Sequence, residues 1–448
     1  MKLFKYFLLL FSTSIAFSQS TIDTLALRKL KSEIKQEILK EIQNQKKEVE
    51  STSNKDLDKF SLHGYAVVNY YNYKYDTDPA LKNKIDAERL NIYPEYQFKD
   101  WIAFRSEIEF EHGGTGASVD YDTQEEFGEF EQEIEKGGSI KLEQIYADFT
   151  IKPYFNIKVG RIKVLFNLAQ SLDDPDEYFT THRQEMENAL TPLGWYESGI
   201  GIYGTFAKKF NYYFTFTNGL DSSGFNSSGW IKNGHQERFE MVNAESFATM
   251  MRLDYKFGRH KHTYAGLSAY IGDSSANRPK EDMKESAYVT MLEGHFTYNE
   301  FPLRIYSTGI YGNLENSNIV SQRNANLSNN LGVKRTPVGK NAVGFTTEIG
   351  YEILHNFSNL KQHMLYPFLR YDYYDSMYDV EGSIVDNPRW QRSSITGGIN
   401  WFIAKEVIIK AQYSNRRLGS QNYDLNTLVY TGKKQQENTF SLGIGFEF

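Results

Sequence analysis

Residues 440–448 read Phe440-Ser-Leu-Gly-Ile-Gly-Phe-Glu-Phe448, with an apolar side chain at every second position. Alternation with a period of two places the apolar side chains on one face of a β-strand and the small or polar side chains on the other. A soluble protein buries such an apolar face in a core, whereas a membrane barrel turns it towards lipid. The stretch therefore predicts a strand with two unlike faces and leaves open what covers the apolar one.

The charge on the polar faces decides between these two possibilities. The same alternation recurs along most of the chain, and residues 247–257 and 365–373 carry charged side chains opposite an apolar face. An unpaired charge is very costly in a protein core, but a water-filled lumen removes that cost. We therefore predict a membrane barrel whose inner wall includes Arg89, Arg105, Arg161, Arg252, Arg370 and Arg392.

The number and spacing of the segments predict the type of barrel. Sixteen alternating segments begin near residues 62, 85, 101, 139, 154, 198, 210, 246, 262, 285, 301, 341, 363, 389, 405 and 436. Short turns such as Lys99-Asp100 alternate with long polar connections such as 112–138 and 313–340. An even strand number, short turns at one end and long loops at the other are typical of bacterial outer-membrane barrels. The predicted fold class is all-β, a transmembrane antiparallel β-barrel of about 16 strands around an aqueous lumen.

The N-terminal part of the chain differs from the rest. Residues 1–18 resemble a secretory signal peptide, with Lys2 and Lys5 before an apolar run and a small-residue cleavage site ending at Ser18. Residues 19–59 form a second segment. Its apolar residues between 21 and 50 are mostly three or four apart, which predicts a short periplasmic amphipathic helix or coiled coil followed by a linker. A single helix on the periplasmic rim and an oligomerising coil both fit this pattern. Residues 60–448 form the predicted barrel domain.

Composition excludes several classes of function. The formal net charge is −7, and removal of Lys2 and Lys5 makes it −9, which disfavours a nucleic-acid partner. The absence of cysteine excludes a disulfide framework, a thiolate metal site and a cysteine nucleophile. The chain also lacks a nucleophile-elbow motif, and we predict that it is not an enzyme and needs no cofactor. The 32 Tyr and 31 Phe residues suit the aromatic girdles of a membrane barrel.

One stretch resembles a known family. Val159-Gly-Arg-Ile-Lys-Val-Leu-Phe166, followed by a long loop, is similar to the phosphate-selective porin O and P family, and so are the flanking segments 142–149 and 199–204. The resemblance covers roughly residues 60–448 and is best over 139–204. It implies a homotrimer of sixteen-stranded barrels in the outer membrane of a Gram-negative bacterium, in contact with lipid and lipopolysaccharide. It also implies that an inward-folded third loop narrows each pore, and similar porins of the Bacteroidetes type carry an N-terminal helical segment.

The loop at 166–197 is the predicted pore constriction. Its candidate residues are Asp173, Asp174, Asp176, Glu177 and Arg183. A phosphate filter needs closely spaced Lys and Arg side chains to replace the hydration of the anion. Residues 167–187 instead contain six acids and one Arg, so phosphate selectivity is not carried over from the family. The acids lack the spacing of a calcium loop, which favours an acidic, pore-facing loop without a bound metal.

Together these patterns predict a passive pore. Small hydrophilic solutes or ions are expected to diffuse through a water-filled lumen narrowed by the loop. Two alternatives stay open. One is a channel specific for phosphate, another anion or a different substrate; the other is a structural or adhesive outer-membrane barrel.

Overall fold

The computed structural model describes residues 32–41, 58–115, 117–122, 131–136, 138–192, 194–236, 241–327, 335–357, 360, 363–420, 423–424, 429–430, 432 and 434–448. The chain divides into two compact units, Met1–Phe60 and Ser61–Phe448. In the first unit, residues 32–41 form helix α1. The predicted signal peptide lies outside the described residues, and so does most of the predicted linker.

The second unit is a closed antiparallel barrel of sixteen strands. The barrel strands, in order around the wall, are β1 (Phe60–Tyr75), β2 (Lys84–Lys99), β3 (Ile102–Glu111), β6 (Ser139–Lys152), β7 (Phe155–Lys163), β8 (Tyr196–Phe206), β9 (Phe210–Asn218), β10 (Phe247–Lys256), β11 (Tyr264–Asp273), β12 (Tyr288–Glu300), β13 (Leu303–Leu314), β14 (Asn341–Tyr351), β15 (Met364–Asp379), β16 (Gln391–Ala404), β17 (Val407–Leu418) and β20 (Gln436–Glu447). Two small hairpins stand outside the barrel, β4 (Ala117–Asp122) with β5 (Glu131–Lys136) and β18 (Tyr423–Asp424) with β19 (Val429–Tyr430).

The closing strand is the one with which the sequence argument began. β20 pairs with β17 on one side and with β1 on the other, from Tyr65 opposite Glu447 to Tyr75 opposite Glu437. Every predicted strand start lies within three residues of an observed one. The fold prediction is therefore confirmed, strand by strand.

The two faces of the wall also follow the prediction. Leu267 and Leu369 point outwards and are 70% and 56% exposed, whereas Arg252 and Arg370 point inwards and are buried. Exposed apolar side chains occur on strands all around the barrel, as expected of a surface that meets hydrocarbon. Among the described residues, no helix is long and apolar enough to cross a membrane. The short turns define the periplasmic end of the barrel and the long connections the extracellular end.

The lumen is partly filled by the described parts of three long connections, 164–195, 219–246 and 315–340. Their described parts include helices α2 (Glu185–Leu190) and α3 (Ser317–Ala325). An apolar core inside the barrel joins these connections to the inner faces of strands β10–β13; its members include Phe166, Met186, Leu190, Trp195, Leu220, Trp230, Val320, Met250, Met291 and Ile310. Apolar burial of this extent holds the connections against one side of the wall. One open cavity lies off-centre, beside β1, β2, β16 and β17.

Candidate pore constriction and outer vestibule

The connection between β7 and β8, residues 164–195, is here called the lumen loop. Both of its ends are apolar and buried, and the Val164 amide donates to the Trp195 carbonyl at 2.8 Å. The Trp195 ring lies 6.2 Å from that of Phe166 and 4.9 Å from that of Tyr270 on β11. Because both ends bury large rings in the core inside the barrel, the polar residues between them are held within the lumen.

Asp173 attaches the lumen loop to the wall formed by β2, β3 and β7. Its carboxylate lies 3.1 Å from Arg89 Nη1, 2.6 Å from Arg183 Nη2 and 3.0 Å from Lys163 Nζ. Arg183 also lies 3.4 Å from Glu109 on β3. Burial raises the pKa of Asp173, but the charges of Arg183, Lys163 and Arg89 outweigh burial and hold it well below its usual range. Asp173 is therefore ionised at any physiological pH.

The far side of the lumen loop is attached to β17. Lys410 Nζ donates to the carbonyl oxygens of Tyr178 and Thr180 at 2.7 and 2.9 Å. The Thr181 amide donates to Gln412 Oε1 at 2.9 Å, and Arg416 Nε pairs with Glu185 at 2.5 Å. In barrel order β17 is far from β7 in both directions. The loop thus contacts the inner wall at β2, β7 and β17 through polar groups.

The tip of the lumen loop carries an acidic cluster near the periplasmic end. Carboxylate oxygens of Asp174, Asp176 and Glu177 lie within 4.8 Å of one another. Glu177 Oε1 lies 2.9 Å from His262 Nε2 in the short turn between β10 and β11. Arg304 Nη2, at the start of β13, donates to the Asp176 carbonyl at 2.8 Å. Burial, then the neighbouring charges of Glu177, Asp173 and Asp176, raise the pKa of Asp174 to about 7.

Two of the predicted wall arginines hold the lumen loop directly. Arg89 does so through Asp173. Arg252 Nη1 donates to the Ser171 hydroxyl at 2.7 Å and to the Asn167 carbonyl at 3.3 Å, while its Nε pairs with Asp254 at 2.8 Å. Both side chains are buried, and they act as anchors of the loop.

The other predicted wall arginines differ in their surroundings. Arg370 pairs with Glu348 and Asp372 and is buried, and the Arg161 side chain donates to the Glu143 carbonyl at 3.1 Å. Arg105 is one-third exposed and pairs with Glu95 and Asp148 on neighbouring strands. Arg392 lines an open cavity on the extracellular side of the loop.

That cavity, the outer vestibule, has a volume of about 680 Å³. Its floor includes Arg89, Arg183 and Glu185, so it lies directly above the lumen loop. Its sides are formed by three tyrosines of β1, by Arg392 and Arg416, and by Lys232 of the connection 219–246; the tyrosines are Tyr71, Tyr73 and Tyr75. The structure thus brings four predicted site residues close together, Asp173, Arg183, Arg89 and Arg392, around or beneath one cavity.

Several residues of the site are missing from the predicted set. Lys163 and Lys410 contact the lumen loop, and the two-residue alternation that selected Arg161 also selects Lys163 two positions later. Lys232 and His262 lie in connections, where no periodicity marks a side chain as facing the lumen. Only the tertiary structure places these two at the site.

Comparisons with known proteins find one relative in sequence and several likenesses among solved structures. No family model matches the chain. An uncharacterised protein of Aquifex aeolicus is 26% identical over 358 residues, covering 79% of this chain and 74% of its own. A loop-deletion mutant of OmpT, an outer-membrane protein of Vibrio cholerae, aligns with 87% of this chain and 99% of its own at 10% identity and a TM-score of 0.49. OmpF of Salmonella typhi covers 87% and 97% at 12% identity and a TM-score of 0.49, and an anion-selective porin of Comamonas acidovorans covers 87% and 99% at 10% identity and 0.48.

These likenesses concern the fold alone. At such identities they assign no solute, and the narrower likeness to the phosphate-selective porin O and P family stays a resemblance. The solute has to be argued from the charges and the space in this lumen.

Proposed function

We propose that the chain is an outer-membrane porin through which small hydrophilic solutes or ions diffuse passively. The observation that carries this proposal is the lumen loop, which lies inside a sixteen-stranded barrel and is fixed to β2, β10 and β17 by charged and polar contacts. A loop held in this way narrows the water path without a moving part, and its polar lining admits hydrated solutes and repels apolar ones.

The distribution of charge supports modest rather than strict ion selectivity. Most charges at the constriction are paired, as Asp173 is with three cations and Glu185 with Arg416. The acidic cluster lies towards the periplasmic mouth, whereas Lys232 and Arg392 give the outer vestibule positive charge. A solute therefore passes a cationic region and then an anionic one, and neither sign is excluded outright.

Conductance through planar lipid bilayers tests the proposal. Purified protein should give discrete single-channel steps in KCl. Neutralising the acidic cluster with Asp174→Asn, Asp176→Asn and Glu177→Gln together should move the reversal potential in a salt gradient towards anions. The shift should be larger at ~0.01 M than at ~0.1 M salt because screening is weaker there.

A matched control and two contrary results complete this test. Asp100→Asn, in a short periplasmic turn, removes an acid outside the lumen and should leave the reversal potential unchanged. Absence of channel steps would contradict the porin function. Strong block of chloride current by inorganic phosphate would instead favour the alternative, a channel specific for phosphate.

We also propose that the porin is a homotrimer in the outer membrane, surrounded by lipid and lipopolysaccharide, and that the N-terminal helical segment lies in the periplasm and supports assembly. Helix α1 carries Ile34 and Ile38 on one side, four residues apart, and each is about half exposed. An apolar stripe on a short helix is stable in water when another helix or surface covers it. Copies of the same helix in neighbouring subunits supply that cover.

A further inference from the structure

Three tyrosines form a ladder on one wall of the outer vestibule. Tyr71, Tyr73 and Tyr75 are alternate residues of β1, with ring centroids 5.8 and 5.3 Å apart along the series. The Tyr71 hydroxyl donates to Glu88 at 3.0 Å, and the Tyr75 hydroxyl lies 3.0 Å from Thr439 Oγ1. These hydrogen bonds fix the outer edges of the rings while the rings remain partly exposed to the cavity. The wall therefore offers a rigid, apolar strip.

Two cations of the same vestibule are not paired with an acid among the described residues. Within the described part of the chain, neither Lys232 nor Arg392 forms an ion pair, and both line the cavity. Arg392 stacks over the Trp390 ring at 5.0 Å, which orients its guanidinium group. Burial, then the nearby Arg392 charge, lowers the pKa of Lys232. A bound anion between these two groups would offset that repulsion through charge-assisted hydrogen bonds.

Uncharged and acidic hydrogen-bonding groups complete the lining. They include the acids Asp86, Glu88, Glu111 and Glu185 and the amides Asn188 and Asn233. Carboxylates and amide or hydroxyl oxygens accept hydrogen bonds from hydroxyl groups, and the amides also donate. The lining therefore fits a ligand with flat apolar faces, hydroxyl groups and a negative charge. It offers an aromatic strip for the apolar faces, hydrogen-bonding groups for the hydroxyls, and two cations without an ion pair for the negative charge.

We propose that the outer vestibule is a binding subsite for acidic saccharides, short oligomers of uronic acids, ahead of the constriction. The assignment rests on the proposed porin function, because it gives the vestibule a solute to capture. The C–H faces of the sugar rings pack on the tyrosine ladder, the ring hydroxyls bond to the acids and amides, and a carboxylate lies between Lys232 and Arg392. The volume of about 680 Å³ suits a ligand of this size.

Other ligands use only part of this lining. An inorganic phosphate ion would engage the cations but not the ladder, and a neutral saccharide would engage the ladder but not the cations. A simple aromatic carboxylate would leave the hydroxyl partners without a counterpart. The three compounds are therefore the comparators for the test.

Isothermal titration of the purified trimer or monomer in detergent tests the subsite. The probe is trigalacturonate, and maltotriose, inorganic phosphate and benzoate are the comparators at the same ionic strength. Trigalacturonate should bind about tenfold more tightly than any of the three, since each comparator lacks a set of contacts. Equal or tighter binding of a comparator overturns the assignment, as does absence of heat with trigalacturonate.

Substitutions separate the two halves of the site. Lys232→Gln with Arg392→Gln should weaken trigalacturonate binding about tenfold and leave maltotriose binding unchanged, because only the charged contact is lost. Tyr73→Ala should weaken the binding of both saccharides. The matched controls are Lys208→Gln and Tyr154→Ala at the opposite end of the barrel, with unchanged binding expected. Equal affinities in the vestibule and control variants would contradict the proposal.

The two proposals fail separately. Wild-type protein that gives channel steps in KCl but binds no trigalacturonate overturns only the subsite. Protein that binds trigalacturonate but gives no channel steps overturns the porin function on which this proposal rests. The heat-dependent migration of each folded barrel on a gel verifies that a variant is folded before its affinity is interpreted.

Discussion

Asp173 and Asp174 are neighbours in the chain, yet their surroundings differ. Asp173 contacts three cations, and its pKa is held low in spite of burial. Asp174 points towards the acidic cluster, and burial together with Glu177 raises its pKa to about 7. The sequence Asp-Asp gives no sign of this difference, because it arises from cations that only the fold brings to Asp173, first Arg183 and then Lys163 and Arg89.

The raised pKa of Asp174 predicts a pH-dependent selectivity. Near pH 6 about one-tenth of Asp174 is ionised, and near pH 8 about nine-tenths, so cation preference should increase across this range. Reversal potentials measured at both pH values test this, and Asp174→Asn should remove most of the difference. Asp100→Asn is the control. A pH response that survives in the Asp174→Asn variant would assign it to another group.

The same shift has a consequence for stability. The folded protein keeps the Asp174 proton up to about pH 7, whereas the unfolded chain loses it near the usual pKa of 3.8. The contribution of this residue to stability therefore falls as pH rises from about 4 to 7. Asp174→Asn should accordingly raise the thermal midpoint at pH 7.5 relative to wild type, and the gain should shrink at pH 4.

At the scale of the element, a strand of this barrel is defined by its two faces, and the alternation is interrupted at one place that affects the vestibule. Glu88, whose position in the alternation predicts the apolar face of β2, lines the vestibule next to Arg89. The regular pairing of β2 with β3 begins at Arg89, opposite Glu111. Just before it, the backbone amides of His112 and Gly113 donate to the carbonyls of Glu88 and Ala87. This irregular start of the strand places the Glu88 carboxylate in the lumen, whereas strict alternation predicts that it faces outwards.

Strand β11 offers a direct test of the lipid-facing surface. Leu267 is 70% exposed and lies opposite Gly294 of β12, so it packs little against its neighbour. If it meets hydrocarbon near the midplane, Leu267→Arg should reduce the folding free energy by about 2–4 kcal/mol in lipid vesicles. Leu267→Met keeps the apolar character and should cost less than about 1 kcal/mol. Equal stability of the two variants would show that water, not lipid, surrounds this position.

At the scale of the whole molecule, the lumen is asymmetric. The apolar core inside the barrel lies against β10–β13, and the vestibule lies beside β1, β2, β16 and β17. A sixteen-stranded barrel has room for both. The apolar core holds the ends of the lumen loop against one side of the wall. The vestibule on the other side is the space that the proposed solute would enter.

The proposed assembly role of the N-terminal segment is tested on the full-length protein. Deleting residues 21–55 while keeping the first twenty residues should lower the temperature at which the trimer dissociates, because the covered face of α1 is lost. The barrel strands should remain folded, since they close the wall by pairing with one another. Light scattering gives the oligomeric state and circular dichroism the strand content. A trimer of unchanged heat stability would assign the segment another role.

The sequence by itself determined the barrel: the strand number, the start of each strand to within three residues and, apart from local exceptions such as Glu88, the face that each side chain occupies. The reason is that a period of two in a wall with lipid on one side and water on the other leaves one register per strand. It also predicted a loop in the lumen and located its acids.

Only the tertiary structure decided which charges meet. Asp173 joins Arg89 of β2, Lys163 of β7 and Arg183 of its own loop, and Lys232 approaches Arg392 across 160 positions of sequence. The filling of one side of the lumen, and hence the place of the vestibule, likewise depends on apolar residues in long connections. Such contacts follow from how loops pack inside the closed wall, and no local periodicity encodes them.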